Sequence, residues 1–287
     1  MGSWARSKQL ATSSWAVLKE DKELMVLPLI SGVASLAVMA TFLVPIFLTS
    51  QRTDAYGNET SHLGVGQVLL FLLMYAVLAY VTIFFRTALL CGADQRLRGG
   101  NPSISSALGA AGQRAGRILP WAIVSATVSV VLRGLEQRSG LLGRLVIGIV
   151  GLAWTVVTFL VLPILVFEEV GVGDAVRRSA ALLKSTWGEN LIVNGGIGLI
   201  SVLLMLPAFG LFSLGVVLGS AGSMVVLGTW AAVWIVAVVC WSSAMSAVFQ
   251  LALYRYAVDG QAPGAFATVD LGHAFKQKSG ARRLFGG

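Results

Sequence analysis

The stretch NLIVNGGIGLISVLLMLPAFGLFSLGVVLGSAGSMVVLGTWAAVWIVAVVCWSSAMSAVFQLALY, residues 190–254, runs for 65 residues without an Asp, Glu, Lys or Arg. A helix rises 1.5 Å per residue, so about 20 apolar residues cross the hydrocarbon of a bilayer. The run is too long for one span and reads as two, 191–217 and 224–250, hinged at Gly219-Ser220-Ala221-Gly222-Ser223.

Three further uncharged runs flank it at spanning length: 24–51 with 28 residues, 60–85 with 26 and 145–167 with 23. A fifth, 118–132, has only 15, but Arg117 and Arg133 at its ends can lay their stems along the apolar region and keep their charges in water. The chain is therefore read as a single membrane domain over 1–287, all-α and polytopic. Its six transmembrane helices form three hairpins, at about 24–48, 64–88, 118–134, 145–167, 191–217 and 224–250. Composition agrees: 56% of residues are hydrophobic, 12% are charged, and mean hydropathy is +0.81. So few charges cannot give a globule a solvated surface, which excludes an ordinary soluble enzyme. Such hydrophobicity also excludes a disordered chain.

The net charge of +8 suggests nucleic acid only until the charges are placed. With the N-terminus inside, the inner segments carry 17 of the 21 basic residues; only Arg52, Arg133, Arg138 and Arg144 fall outside. That bias places both termini in the cytoplasm, with a tail at 255–287, in a multi-pass protein of the cell (inner or plasma) membrane. No nucleic-acid partner is expected. A charged, Trp-containing segment precedes the first span and no small-residue cleavage site follows, so that span reads as a retained signal anchor.

Three segments leading into spans look alike. Ser14 to Pro28 and Ser106 to Pro120 share a spacing, and Arg178-Ser179-Ala180-Ala181-Leu182-Leu183-Lys184 echoes both with Asn194 in place of proline. Each carries a helical apolar stripe: Trp4, Ala11, Trp15 and Leu18; Ile104, Leu108, Ala111, Ala115 and Ile118; Val172, Val176, Leu183 and Trp187. Basic residues lie opposite. Such helices rest in the membrane interface, so three cytoplasmic-side amphipathic helices are expected, the first at 3–19. Arg114, Arg117, Arg177, Arg178 and Lys184 are the candidates for lipid headgroups. Trp4, Trp15 and Trp187 are the interfacial anchors.

Little points to catalysis. His62 and His273 fall on opposite sides of the membrane in this topology, and no metal-ligand spacing occurs. Glu168 and Glu169 are adjacent, diverge by about 100° on a helix, and read as a solvated helix end. Neither cofactor nor metal is expected. Gly195, Gly196, Gly215 and Gly219 read as small residues for close helix packing. No ionisable residue lies within the long runs, which disfavours an ion-coupled pump. Pro45, Pro163 and Pro207 read as kinks or span ends, and Trp230, Trp234 and Trp241 as one lipid-facing or packing face.

Two motifs carry a family likeness: Ser14-Trp15 to Lys19 with Leu24 to Ser31, and Leu162-Pro163 to Phe167-Glu168-Glu169 with the helix from Ala175 to Trp187. On these the chain resembles a six-span integral membrane family of unknown function, best known from actinobacteria. The second stretch also resembles the membrane domain attached to some glycerophosphodiester phosphodiesterases, whose chemistry sits in a separate soluble domain. The resemblance implies a membrane role and no catalytic residue. The expectation is a non-enzymatic membrane scaffold or accessory protein that engages anionic lipid, or a membrane or cytoplasmic protein partner, at the cytoplasmic face. The alternative is a lipid-handling or small-molecule permease without ion coupling.

Overall fold

The computed structural model describes residues 22–50, 65–186 and 191–259, and every regular element among them is a helix. A 3-10 turn, Lys22–Met25, opens into α1 (Val26–Ser50), followed by α2 (Val65–Leu97), α3 (Ile104–Gly112) and α4 (Ala115–Arg138). Then come α5 (Leu141–Val157), α6 (Val161–Phe167), α7 (Val172–Thr186), α8 (Leu191–Val217) and α9 (Ala221–Asp259). Among the described residues, five segments are long and apolar enough to cross a membrane: Glu23–Phe47, Val65–Leu97, Ala115–Arg138, Leu141–Phe167 and Ala221–Asp259. Ser201–Val217 is apolar but shorter.

The structure redraws several boundaries. The 15-residue run that looked marginal lies inside a helix of 24 residues, because its arginine-bearing flanks are helical too. The second and last helices overrun the apolar stretches, to Leu97 and Asp259. Arg255, expected in the tail, is therefore a helix residue. The fourth apolar run is broken between Val157 and Val161. The second amphipathic segment is not one helix either, since a turn at Gln113 and Arg114 separates α3 from α4.

Helix neighbours pack as α1 with α2, α4 with α5, and α8 with α9, while α2 and α9 also touch each other and join the pairs. Side-chain burial divides the long helices along their length. In α2, Val65 is 79% and Leu69 60% exposed, whereas Thr87 to Asp94 are all buried. In α9, Val225 and Trp230 are exposed and Ala247 to Tyr254 are buried. The same change separates Leu141 from Leu165. So much exposed apolar surface suits lipid rather than water. The other end has the packing of a soluble core, built on Leu24, Leu27, Leu90, Ile118, Ile164 and Phe249. Gly92 permits the closest approach there: a Cβ on it would sit 2.5 Å from Leu24 Cδ2 and 3.4 Å from Ala107 Cβ.

Helices α3 and α7 both lie against this packed end. Ser103 and Ser106 cap α3 reciprocally, and Ala107 and Ala111 form its buried side against α2. Helix α7 buries Ala175, Ser179 and Leu183 against α6 and the end of α5, leaving Asp174, Arg177 and Arg178 exposed. The third predicted stripe shares Leu183 with this buried face, whose centre runs through the small residues Ala175 and Ser179.

Candidate functional site

The polar chemistry of the described residues is concentrated at the packed end and starts from a proline. Pro163 has no N–H, so the carbonyl four residues back, that of Phe159, has no helical donor. The helix opens there, and side chains from elsewhere satisfy the freed groups. The Gln250 amide Nε2 donates to the Phe159 carbonyl. Ser179 Oγ donates to the Val157 carbonyl and accepts from the Leu160 N–H at 3.2 Å. Gln250 and Ser179 are both buried, and irregular backbone at membrane depth needs partners of this kind. Gln250 Oε1 in turn accepts from Arg86 Nη2 at 3.1 Å, so one amide links the break to the last lipid-facing turns of α2.

A second cluster lies closer to the ends of α2 and α9. Asp94 Oδ1 accepts from Arg255 Nε at 3.0 Å and Nη2 at 2.6 Å, and Oδ2 accepts from Arg98 Nε at 3.0 Å. The Arg255 guanidinium stands 5.0 Å above the Phe167 ring, which stacks on Tyr254 at 5.8 Å. The Tyr254 hydroxyl donates to Glu168 at 3.1 Å, and Glu168 pairs with Arg178 of α7. This chain of contacts ties α2, α9, α6 and α7 together. A solvated helix end, the expectation for both glutamates, describes Glu169 alone: its side chain is 70% exposed, whereas that of Glu168 is 15% exposed.

The predicted headgroup arginines have varied partners. Arg114 donates through Nε to the Val166 carbonyl at 3.0 Å and through Nη1 to the Ala110 carbonyl at 2.7 Å. Arg117 pairs with Glu169 at 2.8 Å, and Arg178 pairs with Glu168. The hydrogen bond and charge of Arg117 hold the Glu169 carboxyl below the usual range. Glu169 also takes φ of 59° just past the end of α6, where glycine is the usual residue. Arg177 is exposed on α7 and has no ion pair among the described residues. Lys184 falls within α7, and Gly195 and Gly196 within α8, at positions whose side-chain surroundings lie outside the described residues. Trp4, Trp15 and Trp187 lie outside them entirely.

The two remaining glycines differ from each other. Gly215 faces α9 closely: a Cβ there would meet Leu227 Cβ at 3.3 Å and the backbone of Met224 at 3.4 Å. Gly219 has open space around it and φ of +64°, so it serves the turn rather than a helix contact. Ser220 follows and accepts from the Ser223 N–H at 3.1 Å to start α9. Trp234 is 43% exposed and its indole N–H donates to the Leu204 carbonyl of α8 at 2.7 Å. Cys91 and Cys240 are both free thiols.

Asp94 and Gly92 were not among the residues the sequence reading singled out; Ser179 entered only within a repeated motif and Arg86 only in the count of basic residues. Pro163 was the available signal for the break, since it requires a donor for Phe159 from another helix. Ser179 was visible as a small polar residue four positions from both Ala175 and Leu183. Asp94 showed locally only Arg98 four residues on, an ordinary helix pair; its more buried partner, Arg255, lies 161 residues away.

The chain belongs to the family described as a family of unknown function (DUF6159), which matches residues 64–264. No curated protein and no solved structure matches it.

Proposed function

We propose that this member of the family is a non-enzymatic protein of the cell membrane, crossing it six times with both termini in the cytoplasm. In this reading it acts as a scaffold or accessory protein that engages anionic lipid, or a protein partner, at the cytoplasmic face. One observation carries the reading: the buried core, the short helices and the interlocked charges all gather at one end of the long helices. That end holds the start of α1, the end of α2, the start of α4 and the end of α9. The positive-inside count assigns the same segments to the cytoplasm. α8 supplies the sixth crossing, at 27 residues and joined to α9 by a short turn. Among the described residues α3 and α7 are the amphipathic helices on that face; the first of the three, expected at 3–19, lies outside the described residues. The likeness to the membrane domain of glycerophosphodiester phosphodiesterases rests on the motif residues alone, and enters here only as a membrane role without chemistry of its own.

Reporters active on one side of the membrane, fused after Gly287 and inserted within residues 51–60, test the topology. Cytoplasmic signal from the first and external signal from the second are expected; external signal at Gly287 refutes it. Replacing Arg177, Arg178 and Lys184 together by Gln should weaken retention of anionic lipid in native mass spectrometry. Unchanged retention removes α7 from lipid binding.

A further inference from the structure

We propose that Arg86 holds the phosphodiester of one membrane phospholipid, at the level where the lipid-facing lengths of the helices give way to the packed end. This rests on the reading above that the protein engages anionic lipid, and it adds a separate contact on α2 to the one proposed on α7. Arg86 follows an uncharged run, 60–85, and directly precedes the buried residues Thr87 to Asp94. It is exposed. Gln250, its partner on α9, stands at the same transition, within the buried residues that begin at Ala244. The ring pair Trp121 and Trp154, stacked at 6.1 Å, marks the transition in α4 and α5, and aromatic side chains favour that depth in a bilayer.

The charge on Arg86 is unbalanced. Its one hydrogen-bond partner among the described residues is a neutral amide. No described ion pair includes Arg86: Asp94 pairs with Arg98 and Arg255, Glu168 with Arg178, Glu169 with Arg117 and Asp259 with Arg255, and neither Glu23 nor Asp174 pairs with it. A cation at the margin of hydrocarbon is costly without a counter-charge. The anion present at that depth is the phosphate of a lipid headgroup, whose oxygens suit the fork of a guanidinium. Gln250 acts as the positioning residue. Its amide is tied to the Phe159 carbonyl on one side and holds a single Arg86 nitrogen on the other, leaving the remaining donors of the fork open.

The full chain, purified in detergent with phosphatidylglycerol as the probe, tests this by native mass spectrometry. Wild type should retain one lipid through collisional activation, and Arg86→Gln should lower the retained fraction roughly fivefold, as expected for one cation beside an anionic headgroup. Arg86→Lys, which keeps the charge and loses the fork, should fall between them and guards against misfolding. Gln250→Glu supplies a carboxylate to Arg86 and should lower retention as far as Arg86→Gln does; because it also loses the Nε2 donor to the Phe159 carbonyl, its thermal midpoint should fall, and retention is read well below that midpoint. Arg177→Gln should leave this lipid in place. Equal retention by wild type, Arg86→Gln and Gln250→Glu overturns the site but not the broader reading. Failure of wild type to retain any phosphatidylglycerol overturns the lipid arm of both. Displacement of the lipid by millimolar inorganic phosphate would overturn the assignment to a membrane lipid.

Discussion

Asp94→Asn should be among the most damaging single-atom changes available at the packed end. The Asp94 side chain is 12% exposed and that of Arg255 19%. Removing the charge leaves Arg255 without its closest counter-ion while its guanidinium stays between α2 and α9. Taking one partner from a buried ion pair costs about 3–5 kcal/mol, and the residual exposure of this pair places the expected loss near the lower figure. Arg98→Gln breaks a contact to the same carboxylate, but the Arg98 side chain is 65% exposed. Exposed pairs contribute up to about 1 kcal/mol, so that variant should lose far less. Thermal unfolding in detergent, with hydrogen exchange over residues 87–97 and 244–259, compares the two. The double variant Asp94→Asn with Arg255→Gln removes both charges and should recover part of the loss. If Asp94→Asn destabilises no more than Arg98→Gln, or the double variant is worse by the sum of its parts, the pair does not hold α2 to α9.

Ser179→Ala should cost about 1–3 kcal/mol by leaving the buried Leu160 N–H unpaired, with faster exchange at that amide as the sign. Gly92→Ala should lower the unfolding midpoint, because the added Cβ meets Leu24 Cδ2 at 2.5 Å and Leu24 is fully buried; overpacking of this kind costs about 1–3 kcal/mol. The depressed Glu169 carboxyl stabilises the contact to α4 above the usual carboxylate range, and that contribution is lost as pH falls through its lowered folded value. Exchange over residues 168–186 should therefore rise on acidification below about pH 4 more in wild type than in Glu169→Gln, and equal rises would dismiss the contact.

Hydropathy made the long helices legible because lipid-facing residues need only be apolar, a property each residue carries by itself. Val65, Leu69 and Val225 announce their surroundings without a partner. The packed end is different. There the burial of Asp94 makes sense beside Arg255, 161 residues away, and that of Gln250 beside Phe159 and Arg86, 91 and 164 residues away. Apolar periodicity over 172–187 pointed to a helix that the structure has at Val172–Thr186, yet it weighted Val172, Val176, Leu183 and Trp187 rather than Ser179, the fully buried residue that joins α7 to the helix break. A stripe chosen for bulk misses a close contact, because close contacts are made by small residues.

The basic residues show where that way of reading meets its limit. Counting arginines by side of the membrane treats each as free to face a headgroup. Three of the five headgroup candidates instead meet groups of their own chain: Arg114 two carbonyls, Arg117 Glu169, and Arg178 Glu168. Those contacts follow from the fold. Glu168 and Glu169 follow the end of α6 and meet arginines of α7 and α4 there. Arg86 is the converse case. It sits one residue past the uncharged run, on a helix with no amphipathic pattern to mark it, and its side chain finds an amide rather than a carboxylate. At the packed end the positive charge thus divides into arginines that bind the chain to itself and those, Arg86 and Arg177 among the described residues, whose charge no described carboxylate meets. Interaction with an anionic surface is to be sought first at the second group.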